Sequence, residues 1–305
     1  MRPPPRMPFV PPAPGQQLMV TAPDGVRLNV EIHGPDDPGV PTVVLIHGWT
    51  CSIPFWAPVI EALAGELRVV GYDQRGHGAS DIPAAGQYSS EVLGQDLEAV
   101  LDGVLAGGQQ AVLAGHSMGG MTVMAGALRE SVISRTSGVL LASTGYARLN
   151  AEALVVPLTR RAPRLSAALH GLLLASPAPM GSPNPVSRAM LRYMTLGPGA
   201  SKDLAARNAA IIHACGRRPR SAWGRVLARL DLTEAVSRLD VPTQVLVGSA
   251  DRLTPPVHAH RIAGRLPRCV GVTELPGVGH MTPLETPHVV AGLIRELTTG
   301  RDGAR

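Results

Sequence analysis

The residues best suited to chemistry form a serine motif flanked by glycines, Gly115-His116-Ser117-Met118-Gly119. An apolar run precedes the motif and a helical run follows it, which predicts a strand, a sharp turn at Ser117 and a helix. Such a turn places a serine hydroxyl at the carboxyl end of a strand, facing a cleft. Glycine is expected at positions 115 and 119 because a side chain would clash with the crowded backbone. Ser117 is therefore the candidate nucleophile.

A serine hydroxyl needs a base that takes its proton, and the base needs an acceptor that holds it in one tautomer. His280 is the candidate base, in a glycine-flanked loop between the last predicted strand and the last predicted helix. Asp251 is the candidate acceptor, because it comes just after an apolar run that predicts a strand. The order Ser117, Asp251, His280 is the one expected for a serine at a strand–turn–helix elbow. The sequence thus predicts a Ser-His-Asp catalytic triad.

The elements that would position these residues alternate between strands and helices. This alternation predicts an α/β fold with a mostly parallel sheet and helices on both of its faces. An initial hairpin across a Pro-Asp-Gly turn would add antiparallel edge strands. Strands are predicted at 16–22, 26–33, 42–46, 68–72, 112–116, 138–142, 243–247 and 270–275, and helices at 55–65, 90–106, 121–129, 257–265 and 285–298.

The alternation stops between residues 146 and 229, where the sequence is broken by prolines. Apolar and basic runs there predict helices at 149–175, 187–196 and 201–215, which would form a helical lid inserted into the core. The sequence therefore predicts a flexible, proline-rich leader at 1–15, a core formed by 16–145 and 230–300, and a lid at 146–229.

Composition narrows the classes of function. No apolar run reaches the roughly 18 residues that a membrane span needs, and the start lacks the apolar run of a secretory signal. The three cysteines fit neither a disulfide framework nor a zinc site, which favours a reducing cytoplasm. No metal-ligand spacing and no glycine-rich phosphate loop is present, so neither a metal nor a cofactor is expected.

The charge is unevenly distributed. Lys202 is the only lysine among the 28 basic residues, which indicates an arginine-rich coding bias. The net charge of +5 is therefore weak evidence for a nucleic-acid partner, and since no nucleic-acid motif is present, no nucleic acid is expected. The predicted lid, however, holds 13 basic and two acidic residues, a net charge of +11. The hypothesis is that it admits an apolar acyl chain while its basic face meets an acidic carrier protein, an anionic lipid surface or an acidic substrate group. The alternative is a solvated face.

Together these motifs resemble the α/β-hydrolase family, and most closely its lid-bearing branch of small esterases, lipolytic enzymes and haloperoxidase-like perhydrolases. The resemblance implies the α/β-hydrolase fold and an oxyanion hole formed by the backbone N–H groups of Trp49 and Met118. The residues that carry the resemblance are 47–49, 73–80, 115–119, 248–251 and 279–281.

Within this resemblance, other polar residues are weaker candidates. Asp240 precedes the strand that leads to the candidate acid, so it would lie at the wrong end of the sheet. His47 and His77 lie in turn motifs and are expected to form structural hydrogen bonds. The side chain of His116 is expected to point away from the oxyanion site.

The leading hypothesis is a serine esterase that cleaves a carboxylic ester through an acyl-enzyme, with a thioester or lactone as variants. The substrate would be a small molecule with an apolar acyl group. Two alternatives remain at this point. The same triad could transfer the acyl group to another acceptor or to peroxide, or the chain could be a non-catalytic ligand-binding protein on a hydrolase fold.

Overall fold

A twisted, mostly parallel sheet runs through the middle of the protein. The structure is a computed structural model that describes residues 10–300 except 38, 85, 156–168, 172–175 and 177–183. The described residues form one eight-stranded sheet in the order β1-β2-β4-β3-β5-β6-β7-β8. The strands are β1 (Gln16–Thr21), β2 (Arg27–His33), β3 (Thr42–Ile46), β4 (Arg68–Tyr72), β5 (Ala111–His116), β6 (Thr136–Ala142), β7 (Thr243–Gly248) and β8 (Cys269–Leu275).

Helices cover both faces of the sheet. A short 3₁₀ helix at Ile53–Trp56 leads into the first α-helix. Among the described residues, no helix is both long and apolar enough to cross a bilayer. The α-helices are α1 (Ala57–Leu63), α2 (Ser90–Val104), α3 (Met118–Gly126), α4 (Glu130–Ser134), α5 (Leu149–Glu152), α6 (Pro185–Thr195), α7 (Lys202–Ala214), α8 (Arg217–Leu227), α9 (Thr233–Arg238), α10 (Pro256–Ala263), α11 (Thr282–Glu285) and α12 (Pro287–Thr298).

The central strand β3 shows why the sheet is buried on both sides. Its five residues are all buried, and successive side chains point to opposite faces. Val44 and Ile46 belong to the apolar cluster that includes α2 and α3. Val43 and Leu45 belong to the cluster that includes α1 and α12. A continuous apolar strand therefore feeds two cores, as expected for a parallel sheet between helical layers.

The predicted fold class is confirmed. Strands β3 to β8 pair in parallel, and β2 pairs antiparallel with both β1 and β4, so the predicted hairpin lies at one edge. The helix predicted at 285–298 is α12, which begins two residues later than predicted, while the short α11 before it was not predicted. Pro287 begins α12, because proline has no N–H to continue α11 and is well suited to a first helical position.

The segment between residues 146 and 229, called the inserted segment below, differs more from prediction. Helices α6 and α7 match two predicted helices within two residues. The helix predicted from residue 149 is wrong in extent, since α5 ends at Glu152 and Ala153 is extended. Most of residues 156–175, like residues 1–9 of the predicted leader, lies outside the described part of the chain. Helix α8 was not predicted.

Candidate active site

Ser117 occupies a strained turn between β5 and α3. Its backbone has φ +52° and ψ −116°, a conformation that non-glycine residues rarely adopt. A Cβ atom on Gly115 would lie 2.5 Å from the Gly119 carbonyl oxygen, and one on Gly119 would overlap the carbonyl oxygen of Ile46. The expected steric need for both glycines is confirmed.

Hydrogen bonds fix this turn to the neighbouring strand. The Ser117 N–H donates to the carbonyl of Ala142, the last residue of β6, at 3.0 Å. The Thr144 hydroxyl donates to the Ser117 carbonyl at 2.7 Å. Both backbone groups of Ser117 are therefore paired. The end of β6 and the residues that follow it stabilise the strained conformation, so this stabilisation does not come from α3 alone.

Asp251 and His280 form a buried hydrogen-bonded pair at the same edge of the sheet. His280 Nδ1 lies 2.8 Å from Asp251 Oδ2, and both residues are buried. Asp251 Oδ1 accepts the N–H groups of Leu253 and Thr254 at 2.8 and 2.9 Å. The Thr254 hydroxyl donates to Asp251 Oδ2 at 2.9 Å. Four donors thus orient one carboxylate, which holds the imidazole with its Nδ1–H toward Asp251.

The three predicted residues meet at one cavity. Ser117 and His280 both line it, and Asp251 lies behind the His280 ring. Among the described residues, the ring of His280 bonds to Asp251 and Thr254, and no direct hydrogen bond joins it to Ser117. Such a bond is often missing before substrate binds, because catalytic hydrogen bonds tend to tighten only in the complex.

His116 has a role that the sequence did not reveal. Its Nε2–H donates to the His280 carbonyl at 2.9 Å, and its ring lies between those of Phe55 and His280. Burial keeps the pKa of His116 well below its usual range, so the ring is neutral. Thr254 was also missed. The contact of His116 has no local sequence signal, since His116 and His280 lie 164 residues apart. Thr254 lies only three residues from Asp251, so this short spacing could have indicated its contact.

The resemblance assigns the backbone N–H groups of Met118 and Trp49 to an oxyanion hole. Met118 is the first residue of α3, so its N–H has no partner within the helix. Trp49 follows β3, and its indole donates to the Arg220 carbonyl at 3.0 Å. Within the described residues, neither of these N–H groups donates a hydrogen bond. Trp49 and Ser117 line the same cavity.

His47 and His77 are structural, as expected. The Gln74 N–H donates to His47 Nε2 at 3.0 Å, and the Thr50 N–H donates to His77 Nε2 at 3.3 Å. Burial lowers the pKa of His47 to about 4 and that of His77 to about 3, where the nearby His47 adds to the effect. Asp240 is exposed and precedes β7, at the edge of the sheet away from this site.

The cavity has a volume of about 310 Å³ and a mainly apolar wall. Within the described part of the chain, no group of three or more side chains could hold a metal ion. Arg220 is the one charged side chain among the described lining residues other than histidine. The apolar lining residues are Met121, Leu149, Ala153, Val155, Met190, Leu191, Met194, Ile212, Leu227, Leu253 and Met281.

The chain belongs to the alpha/beta hydrolase family, whose sequence model matches residues 43–293. The resemblance drawn from its motifs is thereby confirmed, and family membership supports a hydrolase activity.

Individual relatives share about a quarter of the residues. Probable oxidoreductase EphD of Mycobacterium tuberculosis (strain ATCC 25618 / H37Rv) is 27% identical over 319 residues, which cover 93% of this chain and 50% of the relative. This chain therefore spans about half the length of that protein. The 3-oxoadipate enol-lactonase 1 of Acinetobacter baylyi is 27% identical over 243 residues, covering 78% of this chain and 80% of the lactonase.

A solved structure is also similar over nearly the whole chain. A thermophilic esterase from Thermogutta terrifontis, solved with malate bound, superimposes with a TM-score of 0.74 at 25% identity. The match covers 92% of this chain and 97% of the esterase.

Proposed function

We propose that this protein is a serine hydrolase that cleaves a carboxylic ester, with thioesters or lactones as variants. The observation that carries the proposal is the buried His280–Asp251 hydrogen bond of 2.8 Å beside a cavity that Ser117 also lines. Positioned in this way, an imidazole has one nitrogen committed to the carboxylate and the other free to accept a serine proton.

In the first half of the reaction, Ser117 Oγ attacks the ester carbonyl carbon while His280 Nε2 takes the hydroxyl proton. Asp251 keeps the imidazole in the required tautomer and stabilises its positive charge. The negative oxygen of the tetrahedral intermediate accepts the N–H groups of Met118 and Trp49. Loss of one such donor typically lowers the rate by about 10²–10³-fold. Return of the proton to the alcohol releases it and leaves an acyl-enzyme.

In the second half, water replaces the alcohol. His280 removes a proton from water, the hydroxide attacks the acyl carbon, and the proton then returns to Ser117 as the acid leaves. The wall of the cavity favours an apolar acyl group, because its aliphatic and methionine side chains offer no polar partners to a polar chain.

The first test is labelling with a fluorophosphonate probe, followed by peptide mapping and a panel of p-nitrophenyl esters of increasing acyl length. We expect the label on Ser117 and turnover of at least one ester. The Ser117→Ala variant should fold normally, bind no label and lose turnover by about 10⁶-fold in kcat. Turnover unchanged in Ser117→Ala would rule out the mechanism, and a folded protein without labelling would favour a non-catalytic ligand-binding role.

We also propose that the inserted segment contacts an anionic lipid surface. Helix α6 exposes Val186, Met190 and Tyr193 to 78%, 53% and 42%, at a spacing that places them on one face. Arg188 is exposed on the same helix. Arg188 lies on another side of the helix from these apolar residues, so the exposed apolar face itself is the observation that suits an interface with lipid better than a solvated face, while the arginines of the segment would add attraction to negatively charged lipid.

Vesicle sedimentation tests this second proposal. The protein should bind phosphatidylglycerol vesicles at low salt and phosphatidylcholine vesicles much less, and the double variant Val186→Asn/Arg188→Glu should lose binding while it keeps turnover of a soluble ester. Leu128→Asn is the control, because this 56% exposed residue follows the end of α3 that points away from the site. No vesicle binding, or binding only to an acidic carrier protein, would overturn the proposal.

A further inference from the structure

The loop that carries His280 is anchored by Glu285, at the end of the helix that follows it, and by Thr195 of the inserted segment. Three consecutive backbone N–H groups of the loop donate hydrogen bonds. Gly279 donates to both carboxylate oxygens of Glu285, at 3.0 and 3.1 Å. His280 and Met281 both donate to the carbonyl of Thr195, at 2.9 and 3.2 Å. Thr195 ends α6, so the inserted segment supplies the carbonyl that accepts the backbone N–H of His280, the candidate base.

The carboxylate of Glu285 joins the two sides of this contact. Besides Gly279, its Oε2 accepts the N–H of Gly197 from the inserted segment at 2.8 Å. Glu285 is half-buried at the end of α11, and burial raises the pKa of its carboxyl although the N–H donors oppose the rise. It does not line the cavity. Its influence therefore reaches the site through the loop and not through substrate.

The backbones approach too closely for side chains. A Cβ atom on Gly279 would overlap the backbone nitrogen of Gly197 and the backbone of Leu196, and one on Gly197 would overlap the carbonyl of Gly277. Each side of the contact thus requires glycine. A junction made of backbone has few alternative arrangements, because no rotamer change can relax it.

The inserted segment holds its own side of the junction in place. The Asn208 side chain in α7 donates to the Thr195 hydroxyl at 2.7 Å, and this hydroxyl donates to the Leu191 carbonyl at 2.7 Å. Thr195 and Asn208 are both buried. The corner between α6 and α7 is therefore a fixed support.

We propose that Glu285 is a positioning residue, which holds the His280 loop against the corner Thr195–Gly197 so that the geometry of the general base depends on the inserted segment. This inference rests on the proposed function. Without the carboxylate, two backbone N–H groups lose their acceptor, and an unpaired buried donor is more costly than the bond itself is stabilising. The loop is then expected to shift His280 away from Ser117.

The test compares Glu285→Ala with Glu285→Gln. For Glu285→Ala we expect kcat to fall on the order of 10²-fold with little change in KM, as for a catalytic group displaced by about 1 Å. The amide of Glu285→Gln retains one acceptor, so a loss of about tenfold is expected. The fluorophosphonate labelling rate should fall in parallel. The downfield proton NMR signal of the His280–Asp251 bond should broaden while circular dichroism remains unchanged.

A matched control and a second site make the test specific. Glu296→Ala, an exposed change in α12, should leave all readouts unchanged. Asn208→Ala should lower kcat from the far side of the junction, and its effect should not add to that of Glu285→Gln, because both act on one corner. If Glu285→Ala fails to fold, Glu285→Gln and Asn208→Ala decide the outcome.

The failures of the two proposals are distinguishable. If Ser117→Ala retains turnover, the proposed mechanism is wrong whatever Glu285 does. If Ser117→Ala is inactive while Glu285→Gln and Asn208→Ala keep the parent kcat and the downfield signal, the mechanism stands and the positioning role of Glu285 is wrong.

Discussion

The loops of the core and the inserted segment are built in different ways. Both backbone groups of Ser117 are hydrogen-bonded, two N–H groups donate to Asp251, and the glycines beside Ser117 allow chains to touch. In the part of the inserted segment that the structure describes, arginines and apolar side chains are exposed to solvent, among them Arg188, Arg225, Val186 and Met190. Thr195–Gly197 is one of the places where the two regions meet. Under the proposed function, the core would hold the reacting groups, while the inserted segment would line the cavity and support the loop of His280 at this corner.

The largest contrast is expected between two aspartates. Asp251→Asn should lower kcat by about 10⁴-fold, because an amide no longer selects the working tautomer of His280. Asp203→Asn in the inserted segment removes only an exposed pair with Arg207 and should leave kcat unchanged. Steady-state kinetics on the best ester of the panel checks both. An Asp251→Asn variant within tenfold of the parent would remove Asp251 from the proposed triad.

Two glycines offer the next contrast, in stability. Gly119→Ala places a methyl group against the Ile46 carbonyl and should lower the free energy of unfolding by about 3 kcal/mol. Gly199→Ala meets open space in the inserted segment, so it should change that free energy by less than about 1 kcal/mol. Urea unfolding measures both. Equal effects would contradict the tighter construction of the core.

A smaller contrast separates activity from stability. Thr254→Val removes the hydroxyl that donates to Asp251 and should lower kcat by about tenfold, or 1.4 kcal/mol, with Thr254→Ser restoring it. Ser201→Ala removes the cap of α7, where the serine side chain accepts the Leu204 N–H, and should lower stability by about 1 kcal/mol without changing kcat. Kinetics and urea unfolding are measured on all three variants. A lower kcat in Ser201→Ala, or an unchanged kcat in Thr254→Val, would contradict these roles.

The smallest expected effect is the pH dependence of the free energy of unfolding that comes from two buried histidines of the core, His47 and His77. The pKa values of His47 and His77 are lower in the folded chain than the 6.5 of an exposed histidine, so at these two positions only the unfolded chain gains protons as the pH falls below 6.5. The free energy of unfolding should therefore decrease as the pH is lowered from 7.5 to 6, by less than about 1 kcal/mol for each histidine.

The variant His77→Gln tests this pH effect. The charged and titratable groups around the ring that it removes are Asp73, Arg75 and His47, which all remain in the variant. It should reduce the slope of stability against pH in the window from 6.5 down to about 3. Its slope is compared with the parent by urea unfolding at each pH. A parent whose stability rises as the pH falls through 6.5 would contradict the neutral state of these rings.

The sequence predicts the core well because its signals are local. Apolar runs mark buried strands, and the glycines around Ser117 mark a turn whose shape follows from neighbouring residues. The order of the three polar residues then follows from the family pattern. Helix extent is less predictable where proline and arginine interrupt the pattern, as α5 and α8 show.

Contacts between distant parts of the chain could not be predicted. The bond from His116 to the His280 carbonyl joins residues 164 positions apart. The link from Glu285 to Gly197 spans 88 positions. Both depend on how closely packed segments approach, which no single window of sequence records. His116 and Glu285 were missed for this reason, whereas Thr254 lies only three positions from Asp251 and was overlooked although its spacing is local. The residues that would perform the chemistry were found.

The methionines of the cavity wall have a consequence of their own. Met121, Met190, Met194 and Met281 are unbranched and flexible, so the wall adapts its shape to different contents. A chain with such a wall should accept a graded series of acyl groups without a sharp size limit. The sulfur of Met190, whose side chain is 53% exposed, is also open to oxidants, and its conversion to sulfoxide would make part of an apolar wall polar. Tolerance of varied acyl groups and sensitivity to oxidative damage thus meet in a methionine of this wall.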